Sequence, residues 1–187
     1  MGTIKTTNIE TITGSGTLTL GQSGETISVP SGATLDLSNA TQTGVGGDNT
    51  PAWSALKSSS AQSIPHDTHT KITYTDEVFD TDGAYDAVNS KFTVPSGEGG
   101  KYLISVKYEM SNQTSPTYAY IYVNGTGYTA TRFKASTWGN ETKMIVTLSA
   151  GDYVEGYTYQ ASGGAVDIVG TSGDRGSIFE GYKLIGI

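Results

Sequence analysis

The amino-acid sequence predicts an all-β protein, and three observations support this prediction. The 187 residues include 25 glycines and few charged residues, and the abundant Thr and Tyr favour strands over helices. Apolar alternation broken by turn residues about every ten positions is typical of a sandwich or barrel. Residues 176–187 are apolar and aromatic enough to need pairing and burial. Together with the strand that starts at Lys101, they indicate a jelly roll closed by its own C-terminal strand.

Residues 1–50 contain an internal repeat of about eight to nine residues. A Thr-apolar-polar-apolar unit occurs at residues 17–20, 26–29 and 34–37, and the units are separated by turns rich in Gly or Pro. Strands this short cannot bury an apolar face alone, so they need stacking or other chains. We favour an intertwined β stem over a segment that is disordered in isolation. A Gly-rich linker then ends at Pro51.

Residues 51–187 form a separate domain that reads as a series of short strands. Gly100 begins the longest candidate, and Asn124-Gly125 is a strong hairpin signal. In chain order the candidate strands cover residues 51–57, 71–74, 91–95, 100–111, 118–123, 143–148, 153–160, 165–169 and 177–187. On the longest candidate, three apolar side chains share one face: Tyr102, Ile104 and Val106.

Composition excludes several classes of function. The net charge of −7 argues against binding to nucleic acid, whose phosphates need clustered Lys and Arg. It equally argues against docking on anionic membranes, and no apolar run approaches the ~20 residues of a membrane span. We expect no membrane insertion and, without an apolar segment at the N-terminus, no secretory signal. The absence of cysteine excludes disulfides and a cysteine nucleophile.

Patterns for catalysis and metal binding are weak. His66 and His69, three positions apart, could ligate a metal, but they are the only histidines, so surface histidines beside a loop are favoured. Residues 76–86 could bind calcium, but their spacing departs from that of an EF-hand, and a solvated acidic loop is favoured. No nucleophile-elbow motif accompanies the many serines. We therefore expect a non-enzymatic protein without a cofactor or metal.

Five motifs in order carry a resemblance to a known family. They are Phe92-Thr93-Val94-Pro95, Gly100-Lys101-Tyr102, Val123-Asn124-Gly125, Leu148-Ser149-Ala150-Gly151-Asp152-Tyr153-Val154 and Ser177-Ile178-Phe179-Glu180-Gly181-Tyr182-Lys183-Leu184. Over residues 52–187 the chain resembles the complement globular-head family, which belongs with the tumour necrosis factor jelly rolls. Residues 1–9 and the Thr/Gly repeat also resemble small tail-fibre proteins of bacteriophages. The chain has no collagen stem, so the immune members are poor analogues.

The resemblance implies a homotrimer of ten-stranded jelly-roll sandwiches around a threefold axis, here preceded by the short β stem. It implies a virion fibre protein, such as a phage tail fibre, that is assembled in the host cytoplasm. The stem would then contact other virion proteins, and the head would bind a host cell-surface receptor, with a glycan as the favoured class. A purely structural virion component, such as a head fibre, a collar or a capsid decoration, is the alternative.

The strand at residues 118–123 is apolar on both faces. Tyr118, Tyr120 and Tyr122 share one face, while aliphatic side chains occupy the other. We predict that the aliphatic face fills the core and that the three tyrosines form the trimer interface. An exposed ligand platform is the alternative for the tyrosines, since Tyr is also enriched at recognition surfaces.

Receptor contacts are predicted on loops at the end of the sandwich away from the stem. In the resembled fold both chain ends lie at the base, which leads us to expect loops 80–89, 111–117, 149–152 and 171–175 at the other end. Loops on a rigid scaffold often carry binding residues, although these could be plain solvated turns. The candidate contact residues are Asp82, Tyr85, Asn112, Tyr153, Asp174 and Arg175.

Overall fold

The computed structural model describes residues 20, 23–36, 49–112, 115–133, 139–170 and 176–184 of the chain. It divides the chain into two compact units, Met1–Thr43 and Gly44–Ile187. The described residues form strands, turns and irregular segments, and they include no helix that could cross a membrane.

All thirteen strands found in the described residues belong to the second unit. They are β1 (Ala52–Leu56), β2 (Gln62–Ile64), β3 (Thr70–Lys71), β4 (Asp76–Asp80), β5 (Tyr85–Asp86), β6 (Lys91–Thr93), β7 (Gly100–Glu109), β8 (Thr117–Val123), β9 (Thr126–Phe133), β10 (Gly139–Leu148), β11 (Tyr153–Gln160), β12 (Val166–Ile168) and β13 (Ile178–Lys183). They outnumber the ten that the resemblance implies, and five of them, β2, β3, β5, β6 and β12, have only two or three residues.

The strands pack as an antiparallel sandwich with a small third sheet. The first sheet has the order β10-β7-β13-β1-β4, and the second has the order β5-β6-β11-β8-β9, with β3 also paired to β11. The third sheet consists of β12 and β2. Because β13 pairs with both β1 and β7, the predicted closure by the C-terminal strand is confirmed, as is the all-β jelly-roll class.

The core lies between the first and second sheets. Trp53 of β1 stacks on Phe92 of β6 with ring centroids 3.8 Å apart, and it meets the edge of Phe179 of β13 at 5.5 Å. The three side chains predicted to share one face of β7 are all buried: Tyr102, Ile104 and Val106. Strand alternation therefore places one side of each central strand in the core, as the sequence predicts.

Strand registers define two ends of the sandwich. Ala52 pairs with Tyr182, and Gly100 pairs with Leu148; we call the end that holds these pairs the near end. The opposite end, the far end, holds the pair of Glu109 with Gly139 and the pair of Thr117 with Gln160. Both chain ends of the sandwich therefore lie at the near end, as the resemblance implies.

The first unit contains no strand among its described residues. Turns occur at Gly24 and Gly32, whose φ angles are +88° and +84°, a conformation that glycine adopts without steric cost. Ile27, Val29 and Leu35 are exposed. The predicted β stem is thus not confirmed, and repeat unit 17–20, apart from Leu20, lies outside the described residues. A stem built from several chains remains a proposal.

Deletion of residues 1–50 should leave a folded head. Every buried core side chain that the structure describes lies at Trp53 or beyond, so the sandwich keeps its own core. Circular dichroism of the truncated protein should show a β-rich spectrum and a cooperative thermal transition. An unfolded spectrum would contradict the division into a stem and a head.

Gly181→Ala should destabilise the sandwich by about 1–3 kcal/mol through overpacking. A Cβ at Gly181 would lie 2.4 Å from Trp53 Cη2 and 2.8 Å from the Leu103 carbonyl oxygen. Gly139→Ala is the matched control, because a Cβ there meets no atom within 4 Å. Urea denaturation of both variants measures the difference, and equal stabilities would contradict the tight packing of β13 on Trp53.

Candidate functional site

Strand β8 places a row of tyrosines on the outer side of the second sheet. Ala119 and Ile121 are fully buried in the core, whereas Tyr118, Tyr120 and Tyr122 are half-buried on the opposite side. The prediction that the aliphatic side of this strand fills the core is confirmed. The role of the tyrosines at a trimer interface is not tested by these positions.

Neighbouring segments extend this row into a larger surface. In the register of β11 on β8, Tyr157 lies beside Tyr120 and Tyr159 lies beside Tyr118. Tyr122 and Tyr157 stack with centroids 3.9 Å apart, and the His69 ring lies 4.8 Å from Tyr120 and 5.1 Å from Tyr159. We call this surface the tyrosine face: Tyr118, Tyr120, Tyr122, Tyr157, Tyr159 and His69.

Hydrogen bonds hold several rings of the tyrosine face in place. The Tyr159 hydroxyl donates to the carboxylate of Asp67, and a 3.0 Å hydrogen bond joins the Tyr122 hydroxyl to His69 Nδ1. Burial raises the pKa of Tyr120 and of Tyr122 above the usual tyrosine value. A tyrosine hydroxyl is protonated and able to donate at neutral pH even at its usual pKa, and burial favours the same form.

The outer side of the first sheet differs in chemistry. Register aligns Ile145, Leu103, Tyr182 and Ala52 in one row across β10, β7, β13 and β1. Beside this row a groove of about 370 Å³ is lined in part by Phe79. Ile145 is 54% exposed and Phe79 is 48% exposed. We call the row together with Phe79 the first-sheet face; it combines aliphatic side chains with the rings of Phe79 and Tyr182, whereas the tyrosine face is aromatic throughout.

The predicted receptor residues do not gather at one end. Asn112 is exposed and follows β7 at the far end, as predicted. In contrast, loop 149–152 joins β10 to β11 at the near end, where Tyr153 pairs with Thr93. Asp82 also lies at the near end, because β4 runs antiparallel to β1 and Asp80 pairs with Trp53. The expected far-end position of loops 80–89 and 149–152 is therefore wrong.

Short or polar strands caused this error. Four strands have no counterpart among the candidates from sequence: β2 and β5, which have three and two residues, β4, which lies in the acidic stretch, and β9, which has little apolar alternation. Strand β12, in contrast, was among the candidates but does not cross the sandwich. It pairs with β2 and bridges to Met110 after β7, and so stays at the far end. Successive antiparallel strands alternate in direction. Each strand that is missed, or wrongly counted as crossing the sandwich, therefore reverses the end of the sandwich at which the next loop is expected.

Tyr85 and Tyr153 have structural roles. Tyr85 is only 7% exposed, and its hydroxyl donates to the Tyr74 carbonyl at 2.6 Å; burial raises its pKa well above the usual value. Tyr153 is half-buried, its backbone N–H donates to Asn124 Oδ1 at 3.0 Å, and Lys91 lies over its ring. Tyr85 is therefore a core residue, which corrects its assignment as a receptor contact. Asp174 and Arg175 lie outside the described residues.

The two histidines and the acidic stretch make local contacts. His66 Nδ1 accepts a hydrogen bond from the Gly163 N–H at 3.1 Å, and His69 belongs to the tyrosine face. Asp80 accepts from the backbone N–H groups of Asp82 and Tyr85, which organises its own turn. In the part of the chain that the structure describes, no group of three or more His, Asp or Glu side chains is placed to hold a metal ion.

Sequence reasoning missed part of the tyrosine face. Tyr157, Tyr159 and Asp67 were not singled out, and His69 was considered only as a metal ligand, although Tyr153, Tyr157 and Tyr159 have the even spacing that puts side chains on one side of a strand. That spacing could have linked β11 to β8. The position of the 65–69 segment could not be found this way, because it depends on a contact made 93 residues later in the chain, between Asp67 N–H and the Gln160 carbonyl.

Comparisons with known proteins identify the fold. No protein-family model and no curated protein matches the chain, but many solved structures do. The PRD1 vertex protein P5 superposes with a TM-score of 0.57 at 16% identity, covering 74% of this chain and 99% of that one. Eiger TNF from S. frugiperda gives 0.54 at 12%, covering 71% and 91%. The globular domain of zebrafish complement 1qA gives 0.50 at 14%, covering 72% and 98%.

These likenesses confirm the class of fold that the five sequence motifs predict. The second unit is a jelly-roll head of the kind found in the complement globular heads and the tumour necrosis factor-like proteins. A phage vertex protein has the same fold.

Tyr85→Ala should lower the free energy of unfolding by about 3–5 kcal/mol, as expected for loss of a large buried ring. The variant also leaves the Tyr74 carbonyl without its hydrogen bond. Val88→Ala is the nearby control: Val88 is 90% exposed, and its truncation should change stability by less than about 0.5 kcal/mol. Urea denaturation separates the two. Wild-type stability of Tyr85→Ala would show that the ring is not part of the core.

Proposed function

We propose that the chain is a virion fibre protein that forms a homotrimer and binds a host-surface receptor, with a glycan as the receptor class. The observation that carries this proposal is the fold likeness to the PRD1 vertex protein P5, which extends over 99% of that chain. A repetitive segment precedes the head, as a fibre with a stem requires. The protein is assembled in the host cytoplasm and carried on the virion, and it has no enzymatic activity or cofactor.

The first-sheet face is the surface that best suits the contact between subunits. Ile145, Leu103 and Tyr182 lie side by side in register, and Ile145 is more than half exposed. A contiguous apolar row on a sheet is costly to leave in water and marks an interaction surface. The prediction from sequence, that Tyr118, Tyr120 and Tyr122 form the interface, remains a second candidate.

The stem supports the same assembly. Ile27, Val29 and Leu35 are exposed within a single chain, and their repeat brings an apolar side chain to the same position in successive units. Association of three stems would cover these side chains and supply strand partners. We propose that the stem joins three chains and attaches the head to other virion proteins.

The far end and the sides of the head are the surfaces left for a receptor. Asn112 lies in the far-end loop that follows β7, and residues 65–69 and 161–164 flank β11 at the same end. Asp82 and Tyr153 lie at the near end, beside Ala52, where the stem linker joins the head. Of the described candidates chosen from sequence, Asn112 therefore remains the proposed contact.

Ile145→Asp should weaken the trimer, because an unpaired charge would be buried in an apolar contact; since the proposed stem contact still joins the chains, the expected result is dissociation at concentrations where the wild-type chain stays trimeric. Light scattering of the full-length chain at micromolar concentration measures the mass. Tyr120→Asp is the matched variant and should keep the trimer mass. Dissociation by Tyr120→Asp alone would move the interface to the tyrosines, and a monomeric wild-type chain would contradict the trimer.

The full-length chain, added in excess, should block adsorption of the virions to host cells, because it occupies their receptor. Immunogold labelling of purified virions should locate the chain on an appendage. A labelled particle whose adsorption is unaffected would favour the second candidate function, a structural head fibre, collar or capsid decoration. Particles without label would contradict both functions.

A further inference from the structure

We propose that the tyrosine face binds a neutral sugar ring of the host glycan, with Tyr120 as the stacking platform and Asp67 as a hydrogen-bond acceptor at its edge. This inference rests on the proposed receptor function and assigns that function a site. It differs from the loop residues chosen from sequence, because the site lies on the side of the head, on β8, β11 and the 65–69 segment.

The first support is the geometry of the rings. Tyr120 lies at the centre of the face, with centroids 6.1 Å from Tyr118, 6.0 Å from Tyr122 and 4.8 Å from His69. All three tyrosines of β8 keep part of their surface exposed. The result is a set of adjoining, partly exposed aromatic rings, and the C–H groups of a sugar ring can pack on an aromatic ring.

The second support is that the face is already ordered. Asp67 has a φ of +54°, and its N–H donates to the Gln160 carbonyl at 2.9 Å, which holds the residue in this unusual conformation. Its carboxylate accepts from Tyr159 and has acceptor capacity left for a sugar hydroxyl. Tyrosine rings have few rotatable bonds, so a ligand immobilises little additional side-chain freedom.

The third support is charge complementarity, which selects an uncharged ligand. Lys71 pairs with Glu155 at 3.1 Å, Asp67 is hydrogen-bonded to Tyr159, and Arg132 lies over the Tyr118 ring. The charges of Lys71 and Glu155 thus offset each other, while the charge of Asp67 remains, because the Tyr159 hydroxyl that donates to it is neutral. An acidic sugar would also meet the repulsion of a chain with a net charge of −7.

The chemistry of the face disfavours a second copy of the chain as its occupant. Every outward ring of β8 and β11 on this face carries a hydroxyl, whereas aliphatic side chains are concentrated on the first-sheet face. A ligand with an apolar side and hydroxyls around its edge matches rings with polar tips. A neutral pyranose has that form.

The test uses the full-length chain and a panel of neutral glucose-, galactose-, mannose- and N-acetylglucosamine-containing oligosaccharides, with sialylated forms as comparison. Binding is measured by titration calorimetry, and sugar C–H contact by saturation-transfer NMR. Tyr120→Ala should weaken binding of the neutral sugar at least tenfold, and Asp67→Asn should weaken it severalfold. Tyr128→Ala is the matched control, since Tyr128 is an exposed tyrosine that makes no ring contact with the face; it should bind as wild type does.

Several outcomes overturn the proposal. They are the absence of binding to every neutral sugar of the panel, binding of sialylated forms alone, and unchanged binding by both Tyr120→Ala and Asp67→Asn. Dissociation of the trimer by Tyr120→Ala in light scattering would also overturn it, because the face would then be a subunit contact. If Tyr120→Ala does not fold, as judged by its melting temperature, Asp67→Asn together with Tyr159→Phe decides the question.

The adsorption assay separates this proposal from the function on which it rests. If the wild-type chain blocks adsorption and a folded Tyr120→Ala chain blocks it equally well, the site is wrong and the receptor function stands. If the wild-type chain does not block adsorption, the receptor function fails. If the wild-type chain blocks adsorption and the folded Tyr120→Ala chain does not, both the receptor function and the tyrosine-face site are supported.

Discussion

The insertion of β13 between β1 and β7 is the interaction on which the rest of the head depends. It brings Gly181 opposite Trp53, and the missing side chain leaves room for the indole, which then stacks on Phe92 of the second sheet at 3.8 Å. One strand pairing thus completes the first sheet and fixes how the two sheets pack. Because Phe179 of the same strand also meets Trp53, the aromatic core and the sheet order are established together.

This arrangement leaves two outer surfaces with different chemistry. Strand alternation sends Trp53 and Phe179 inward and leaves Tyr182 and Ile145 on the first-sheet face. The same alternation on β8 sends Ile121 inward and leaves the tyrosines outside. The mostly apolar first-sheet face suits association with like chains, which requires little polar pairing. A surface of tyrosine rings and a carboxylate suits a polar ligand with an apolar side, so assembly and recognition can use opposite sides of one sandwich.

Hydrogen bonds made by the side chains of two glutamines connect the segments at the far end. The buried Gln160 donates to the carbonyls of Ile64 and Gly164 at 3.0 and 2.8 Å, while its carbonyl accepts from Ser162 at 2.8 Å. Gln62 joins β2 to the segment around β3 in a similar way, by donating to the Lys71 carbonyl at 2.7 Å. A buried amide whose donors and acceptor are all paired, as in Gln160, makes a rigid support. Residues 65–69, which lie between these contacts, therefore hold Asp67 and His69 beside the tyrosine face.

The sequence by itself determined the all-β class, the two faces of β8 and the buried side of β7, because each depends on local alternation of apolar and polar residues. It also determined the role of the C-terminal strand, because the apolar content of that segment requires burial. Tertiary structure decided which end each loop occupies. Strands such as β5, where Tyr85 lies, and β12 are two or three residues long, and β9 is mostly polar. Their pairing comes from hydrogen bonds supplied by distant neighbours, not from their own propensity. The tyrosine face also depends on pairing between distant segments. The register of β11 on β8 brings Tyr159 beside Tyr118, and the Tyr159 hydroxyl in turn holds Asp67 there.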